Sequence, residues 1–390
     1  MTTSQIYGII NLSKRVKDKG PSYTMDFLIG VKMNQLTKEQ IAVVNTTASH
    51  VLVEASPATG KTHTLVARLQ HLIDSGENQR RIVAITFTNN AAAEMRSRLK
   101  GVTDMFIGTV HSYCNFLLTV SGISTSDLIE SEDFDKLFQR IKLHPECVMP
   151  IDYLLVDEAQ DSTRPQFEFF LSTLQPKNYM MFYDLRQSIY GFAHAEPDIL
   201  IDLRHEPDIT KYTLSLNYRN GEEILNFAKD LIRPLGQEFI DYSMSMTPWF
   251  GEVYQRHLTP TQIIEDIIME AGEEHYGEWM WLCRTNSDVD DFMNRLARHK
   301  IPATTFKQGD LSLAELKEQV GMNCVKVLTM HSAKGLESER VIVWNPHPWI
   351  SDEERRLCFV AATRARKQLW WISQSKVKKK KSREKVFKWE

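Results

Sequence analysis

The sequence predicts an α/β protein of two tandem domains, each built on a parallel sheet with helices on both faces. Three observations carry that expectation. The chain has 390 residues, about twice a common domain length. Hydrophobic residues make up 42% and charged residues 25%, a balance that supports globular cores and excludes a mostly disordered or collagen-like chain. Short apolar runs alternate with helical patterns along the length, as strand–helix–strand units require.

The first group of buried-strand runs is HVLVEA (50–55), RIVAITF (81–87), IDYLLVD (151–157) and NYMMFY (178–183). Each is followed by a turn and a helix-like segment, such as AAAEMRSRL or PQFEFFLSTL. A second group comes later: EWMWLC (278–283), VKVLTM (325–330), RVIVWN (340–345) and KQLWWIS (367–373). Periodicity is lost near 236–252, which sets the expected domains at 33–240 and 241–375, with a short helical insertion near 112–150. Residues 1–32 read either as an appended arm or as upstream sequence if Met33 is the true start.

No window approaches a membrane span, and the N-terminus lacks the apolar core of a secretion signal. The five cysteines are scattered, with no C-x-x-C pair, which argues against a zinc or iron–sulfur site and for a reducing cytoplasm. The net charge of −3 hides an asymmetry: residues 376–390 carry +6, leaving −9 for the rest. That basic tail reads either as a solvated end or as a contact to a phosphate backbone.

After HVLVEA comes Ala55-Ser-Pro-Ala58-Thr59-Gly60-Lys61-Thr62 and then a helical pattern. This departs by one residue from the phosphate-loop motif, with Ala55 in place of the first glycine. The physics survives the change. Backbone N–H groups at a helix start cradle phosphates, Lys61 adds charge at the terminal phosphates, and the Thr62 hydroxyl binds Mg²⁺. Taken alone, a chance Gly-Lys-Thr before a helix is the rival reading. The partner acids weaken it: Asp157 and Glu158 stand at the end of an apolar strand, the edge where open parallel sheets bind ligands. Asp157 is placed to hold Mg²⁺ and Glu158 to polarise the attacking water. The two motifs together imply an Mg–nucleoside triphosphate hydrolase.

Beyond these, an ordered series of segments resembles the motifs of UvrD/Rep/PcrA-type superfamily 1 DNA helicases. Leu36-Thr-Lys-Glu-Gln40 looks like the Q motif, Thr86-Phe87-Thr-Asn89-Asn90 like motif Ia, and Gly108-Thr109-Val-His111-Ser112 like motif Ib. Asp157-Glu-Ala-Gln-Asp161 resembles motif II, Asp184-Leu-Arg-Gln187-Ser-Ile-Tyr190-Gly-Phe192 motif III, and Leu216-Asn-Tyr218-Arg219 motif IV. Leu282-Cys-Arg284 is similar to motif IVa, Thr329-Met-His331-Ser-Ala-Lys334-Gly-Leu-Glu337 to motif V, and the stretch from Glu353 to Ala365 to motif VI.

The resemblance implies two tandem RecA-like P-loop domains with nucleotide at the inter-domain cleft, and ATP with Mg²⁺ as the ligands. It implies that Arg219 and Arg364 stabilise charge on the γ-phosphate from two sides and that Gln187 senses it. Gln40 would bond adenine, Tyr218 would stack on it, His63 would flank it, and Glu337 would reach the ribose. Single-stranded or tailed duplex DNA would stack on Phe87, Tyr190 and Phe192. Polar contacts would come from Asn89, Thr109, His111, Arg284, Thr329, His331 and Lys334.

Four departures stand out. Asn90 replaces the usual motif Ia lysine, Phe192 is followed by Ala193-His194 rather than Arg-Gly, and His63 stands where an arginine is common. The fourth is size: only 45 residues separate His111 from Asp157, and the second insertion is reduced to a segment near 309–323. Fewer than thirty residues follow motif VI, so no fused nuclease domain is expected. The expectation is a near-minimal ATP-dependent translocase or helicase, of 3′→5′ polarity by resemblance. The alternative is a DNA-responsive regulatory ATPase working with a protein partner in a larger repair, recombination or defence complex.

Overall fold

The computed structural model describes residues 36–130, 135–269, 272–307 and 311–374. The expected N-terminal extension (1–32) and the basic tail (376–390) lie outside the described residues. Met1–Lys38 forms one unit, of which only residues 36–38 are described, and Glu39–Glu390 forms a second that holds both sheets and every site motif from Glu39 onward.

The first sheet comprises β1 (His50–Ala55), β2 (Ile82–Ile85), β3 (Phe106–Gly108), β4 (Tyr153–Val156), β5 (Asn178–Tyr183) and β6 (Thr210–Leu214). They run parallel in the order β3-β2-β4-β5-β1-β6. Because side chains alternate across a strand, the apolar runs feed two cores. Leu154, Val156, Met181 and Tyr183 enter one, and Leu155, Met180 and Phe182 the other. Helices cover both faces, which is why these strands read as continuous apolar runs.

A two-stranded parallel ribbon, β7 (Leu216–Asn217) and β8 (Met244–Ser245), comes next in sequence. The second sheet comprises β9 (Glu252–Leu258), β10 (Trp279–Cys283), β11 (Ala303–Thr304), β12 (Val325–Thr329), β13 (Ser338–Trp344) and β14 (Ala365–Gln374). It is also parallel, in the order β11-β12-β10-β13-β14-β9. Two cores again lie on its faces, with Met280 and Leu282 in one and Trp279, Trp281 and Cys283 in the other.

Within the two six-stranded sheets, the strands that the apolar runs do not reveal are β3, β6, β9 and β11, all at sheet edges. β6 and β9 are half-exposed along their length, so sequences such as TKYTL and EVYQRHL carry too few apolar residues to stand out. The PQFEFFLSTL segment is helical but passes from an α-helix at Arg164–Glu168 into a π turn at Phe169–Thr173. Between β3 and β4 stand the helices Val110–Val120, Ser126–Glu130 and Asp135–Leu143, packed on the first core through Leu117, Leu137 and Ile141.

The helix Glu222–Ile232 packs on the second sheet through Ile224, Ala228 and Ile232. Packing therefore passes from one lobe to the other just after β7, ahead of the 236–252 stretch expected from periodicity. The crossing is tight: a Cβ on Gly221 would lie 2.5 Å from the Cα of Gly251. Among the described residues no helix is long and apolar enough to cross a membrane.

Candidate active site and nucleic-acid interface

β1 ends at the buried Ala55 and the chain turns through Ser56–Gly60 into the helix Lys61–Asp74. Ala58 and Gly60 take positive φ of 59° and 81°. The φ of Gly60 is what calls for glycine, and a Cβ there would also meet the Gln40 amide nitrogen at 2.5 Å and push that side chain aside. The loop carbonyls are tied off one by one. Thr59 Oγ1 donates to Ser56 O (2.8 Å), Asn217 Nδ2 to Pro57 O (3.0 Å), Tyr218 N to Ala58 O (3.1 Å) and Gln40 Nε2 to Thr59 O (3.2 Å). Such anchoring pre-organises an N–H-lined cradle at a helix start.

The two acids sit directly after β4, with Glu158 at φ 53°. Thr62 Oγ1 donates to Asp157 Oδ2 at 3.2 Å, so two oxygens of the type Mg²⁺ selects converge beside the loop. Lys61 Nζ lies 2.8 Å from Glu158 Oε1. Burial, and then the Glu158 charge, push the Asp157 carboxyl up. Burial acts the same way on Glu158, but the Lys61 and Lys334 ammonium groups outweigh it and hold that carboxyl well below its usual range.

Gln187 links Asp184, at the end of β5, to the second lobe. Its Nε2 donates to Asp184 Oδ2 (2.7 Å), and its Oε1 accepts from Arg364 Nη2 (3.5 Å). Arg364 is only 2% exposed, and its guanidinium is aimed by Val360 O (2.9 Å) and Leu336 O (3.2 Å). Burial, then the nearby Arg219 charge, lower its pKa. Arg219 reaches across the cleft to Glu337 Oε2 (2.5 Å), and Arg366 Nη1 holds Glu337 Oε1 (2.8 Å). The expected phosphate arginine and ribose glutamate are thus paired with each other. Tyr218 is 44% exposed beside the loop, and His63 Nδ1 lies 3.0 Å from Arg98 Nη2.

The aromatic residues form a continuous run over both lobes. Phe87 and Tyr190 stack at 5.0 Å between ring centroids, Tyr190 meets Phe192 at 5.8 Å, and Phe192 meets His331 at 5.6 Å. Phe87 and Phe192 are exposed, a surface suited to stacking bases. Burial, and then the Arg284 charge, lower the His331 pKa.

The polar residues divide. Asn89 opens the helix Asn89–Arg98, Thr109 caps the helix Val110–Val120 by accepting from Ser112 N (3.3 Å), and Thr329 caps the turn after β12 by accepting from Ser332 N (3.1 Å). His111 packs against Phe138 of the insertion, while Arg284 is paired with Glu354. Lys334 turns into the cleft toward Asp161.

The sequence assigns no role to two residues of the site, one inside the motif IV segment and one just after it. Asn217 and Asn220, both fully buried, join the phosphate loop to the second lobe. Asn217 Nδ2 bonds Pro57 O and Asn220 Oδ1, and Asn220 Nδ2 donates to Thr363 O (3.0 Å) and Ala365 O (2.6 Å), flanking Arg364. Position 220 simply comes after the motif arginine in sequence, and only the fold reveals its partners.

Two family descriptions match the chain: UvrD/REP helicase N-terminal domain over residues 36–144 and 123–208, and UvrD-like helicase C-terminal domain over residues 307–376. The chain is 24% identical to a probable DNA helicase of Mycoplasma pneumoniae, over 88% of this chain and 84% of that protein. It is 23% identical to a probable DNA helicase II homolog of Mycoplasma capricolum, over 80% of this chain and 57% of that one. Identity to the ATP-dependent DNA helicase PcrA of Staphylococcus epidermidis is 23%, over 70% of this chain and 51% of that protein. The chain thus spans about half the length of the last two relatives.

Proposed function

Since the chain belongs to the UvrD-type superfamily 1 DNA helicases, we propose that it is an ATP-driven motor on single-stranded DNA, stepping 3′→5′ as the family resemblance implies. The observation that carries the reading is the meeting of Gln187 with Arg364 across the cleft that also holds Lys61, Asp157 and Glu158. Groups from both lobes must close on one nucleotide, so each hydrolytic cycle is tied to lobe movement.

The loop and Lys61 bind the phosphates, and Thr62 and Asp157 hold Mg²⁺. The metal, when bound, neutralises charge on the phosphate oxygens. Glu158 orients and deprotonates the attacking water once Lys61 has turned from it to the nucleotide. Arg364 and Arg219 offset the charge that develops on the transferred phosphoryl group, a contribution of about 10³–10⁵ in rate for such arginines. Arg219 reaches that position by leaving Glu337, which frees the carboxylate for the ribose. DNA lies along the Phe87–Tyr190–Phe192–His331 run.

The test is steady-state ATP hydrolysis by the purified protein with and without single-stranded DNA, across a length series. Stimulation that rises with length is the expected result, with unwinding of tailed duplexes the next assay. Hydrolysis indifferent to DNA length would instead support a regulatory ATPase. One observation favours that second reading: motif III ends in a tight turn with His194 at φ 62°, in place of an arginine contact.

A further inference from the structure

We propose that Lys334 and Asp161 form a positioning pair that passes the state of the aromatic track to the hydrolytic carboxylate Glu158; this rests on the function proposed above. Lys334 Nζ is bonded to Asp161 Oδ2 (2.5 Å) and donates to Gln187 O (2.9 Å). It also stands 5.0 Å over the ring centroid of Tyr190 and 4.0 Å from Glu158 Oε2. The Lys334 side chain is 10% exposed and that of Asp161 0%. One buried ammonium thus touches the ring that stacks on Phe87, the backbone of the phosphate sensor and the rim of the hydrolytic acid.

In this state Glu158 answers to two cations, Lys61 on Oε1 at 2.8 Å and Lys334 near Oε2. Nucleotide phosphates draw Lys61 away. A base entering between Phe87 and Tyr190 must widen their 5.0 Å stack to roughly 7 Å, two stacking layers of about 3.4 Å each. Tyr190 then moves, and Lys334, resting on its face, moves with it. Asp161 is the second carboxylate that keeps the ammonium from collapsing onto Glu158. Hydrolysis becomes fast when both ligands are present, because only then is Glu158 clear of both charges.

The test uses the full chain with oligo(dT) as the probe. Asp161→Asn keeps the shape and removes the charge, so Lys334 falls back on Glu158. The expected result is oligo(dT) affinity and KM for ATP near wild type, while the DNA-stimulated kcat falls about tenfold or more toward the DNA-free rate, a normal size for site–site coupling. Undiminished stimulation overturns the pair. A raised Kd with full stimulation at saturating oligo(dT) also overturns it and makes these residues plain DNA contacts. Should Asp161→Asn not fold, Lys334→Met makes the converse comparison by removing the charge: a DNA-free rate raised toward the DNA-stimulated one supports the proposal, and a DNA-free rate at the wild-type level with full stimulation at saturating DNA overturns it. A wild-type protein without DNA stimulation would fail the function above, whereas a stimulated wild type with indifferent variants fails this inference alone.

Discussion

At Lys61 and Arg364 the same fact, a cation held in a buried place, has two different consequences. Lys61 is 9% exposed and salt-bridged to Glu158, so on the function proposed above its charge waits beside the acid until a phosphate competes for it. Lys61→Ala should lower ATP turnover by about 10²–10³-fold, the usual loss when one pre-organised charge is removed. Phosphate release measures it, with an unchanged circular dichroism spectrum as the control; retained turnover would take the loop out of the reaction. Arg364 also donates to two backbone carbonyls. Arg364→Ala should therefore abolish turnover, keep nucleotide binding, and cost about 1–3 kcal/mol of stability through the carbonyls left without a donor. Calorimetry and nucleotide titration separate those effects.

At the scale of elements, the segment from β7 to the helix Glu222–Ile232 does more than connect. It binds the phosphate loop through Asn217 and Tyr218 N, and it binds the second lobe through Asn220 and Gly221 N, which donates to Arg366 O at 3.1 Å. Gly221 is required by space rather than by φ, since its added Cβ would press on the Gly251 backbone. Gly221→Ala should lower stability by about 1–3 kcal/mol, the range for overpacking, read as a drop in Tm. An unchanged Tm would mean that the two backbones part without cost.

Across the whole molecule, contacts between the lobes concentrate on the motifs. Glu353 accepts from Gly191 N (2.9 Å), Arg356 Nε donates to Ser188 O (2.6 Å), and Asn90 Nδ2 donates to Leu311 O (2.9 Å). The last joins two of the sequence departures, since the asparagine that replaces the motif Ia lysine holds the shortened insertion before the helix Leu313–Gly321. The aromatic run crosses the same boundary. Phe192→Ala should weaken oligo(dT) binding by about 1–3 kcal/mol, the worth of a stacked base, without changing the salt slope, because no phosphate contact is lost. Anisotropy titrations at several salt concentrations check this, and a changed slope would place a phosphate there.

Sequence alone determined the two parallel sheets, because strands buried on both faces must be apolar along their whole length, and HVLVEA and NYMMFY coincide with β1 and β5. It also made the loop Ser56–Gly60 and the acids Asp157 and Glu158 legible, since local turn chemistry and strand ends fix them. Edge strands such as β9 stayed hidden because half their side chains face water. What Lys334, Arg284, Glu337 and Asn220 touch was decided by the tertiary structure alone. Their partners Asp161, Glu354, Arg219 and Thr363 lie 70 to 173 residues away in the chain. A charge or an amide in a sequence states what it can bond, and only the packing of two lobes brings one particular partner within reach.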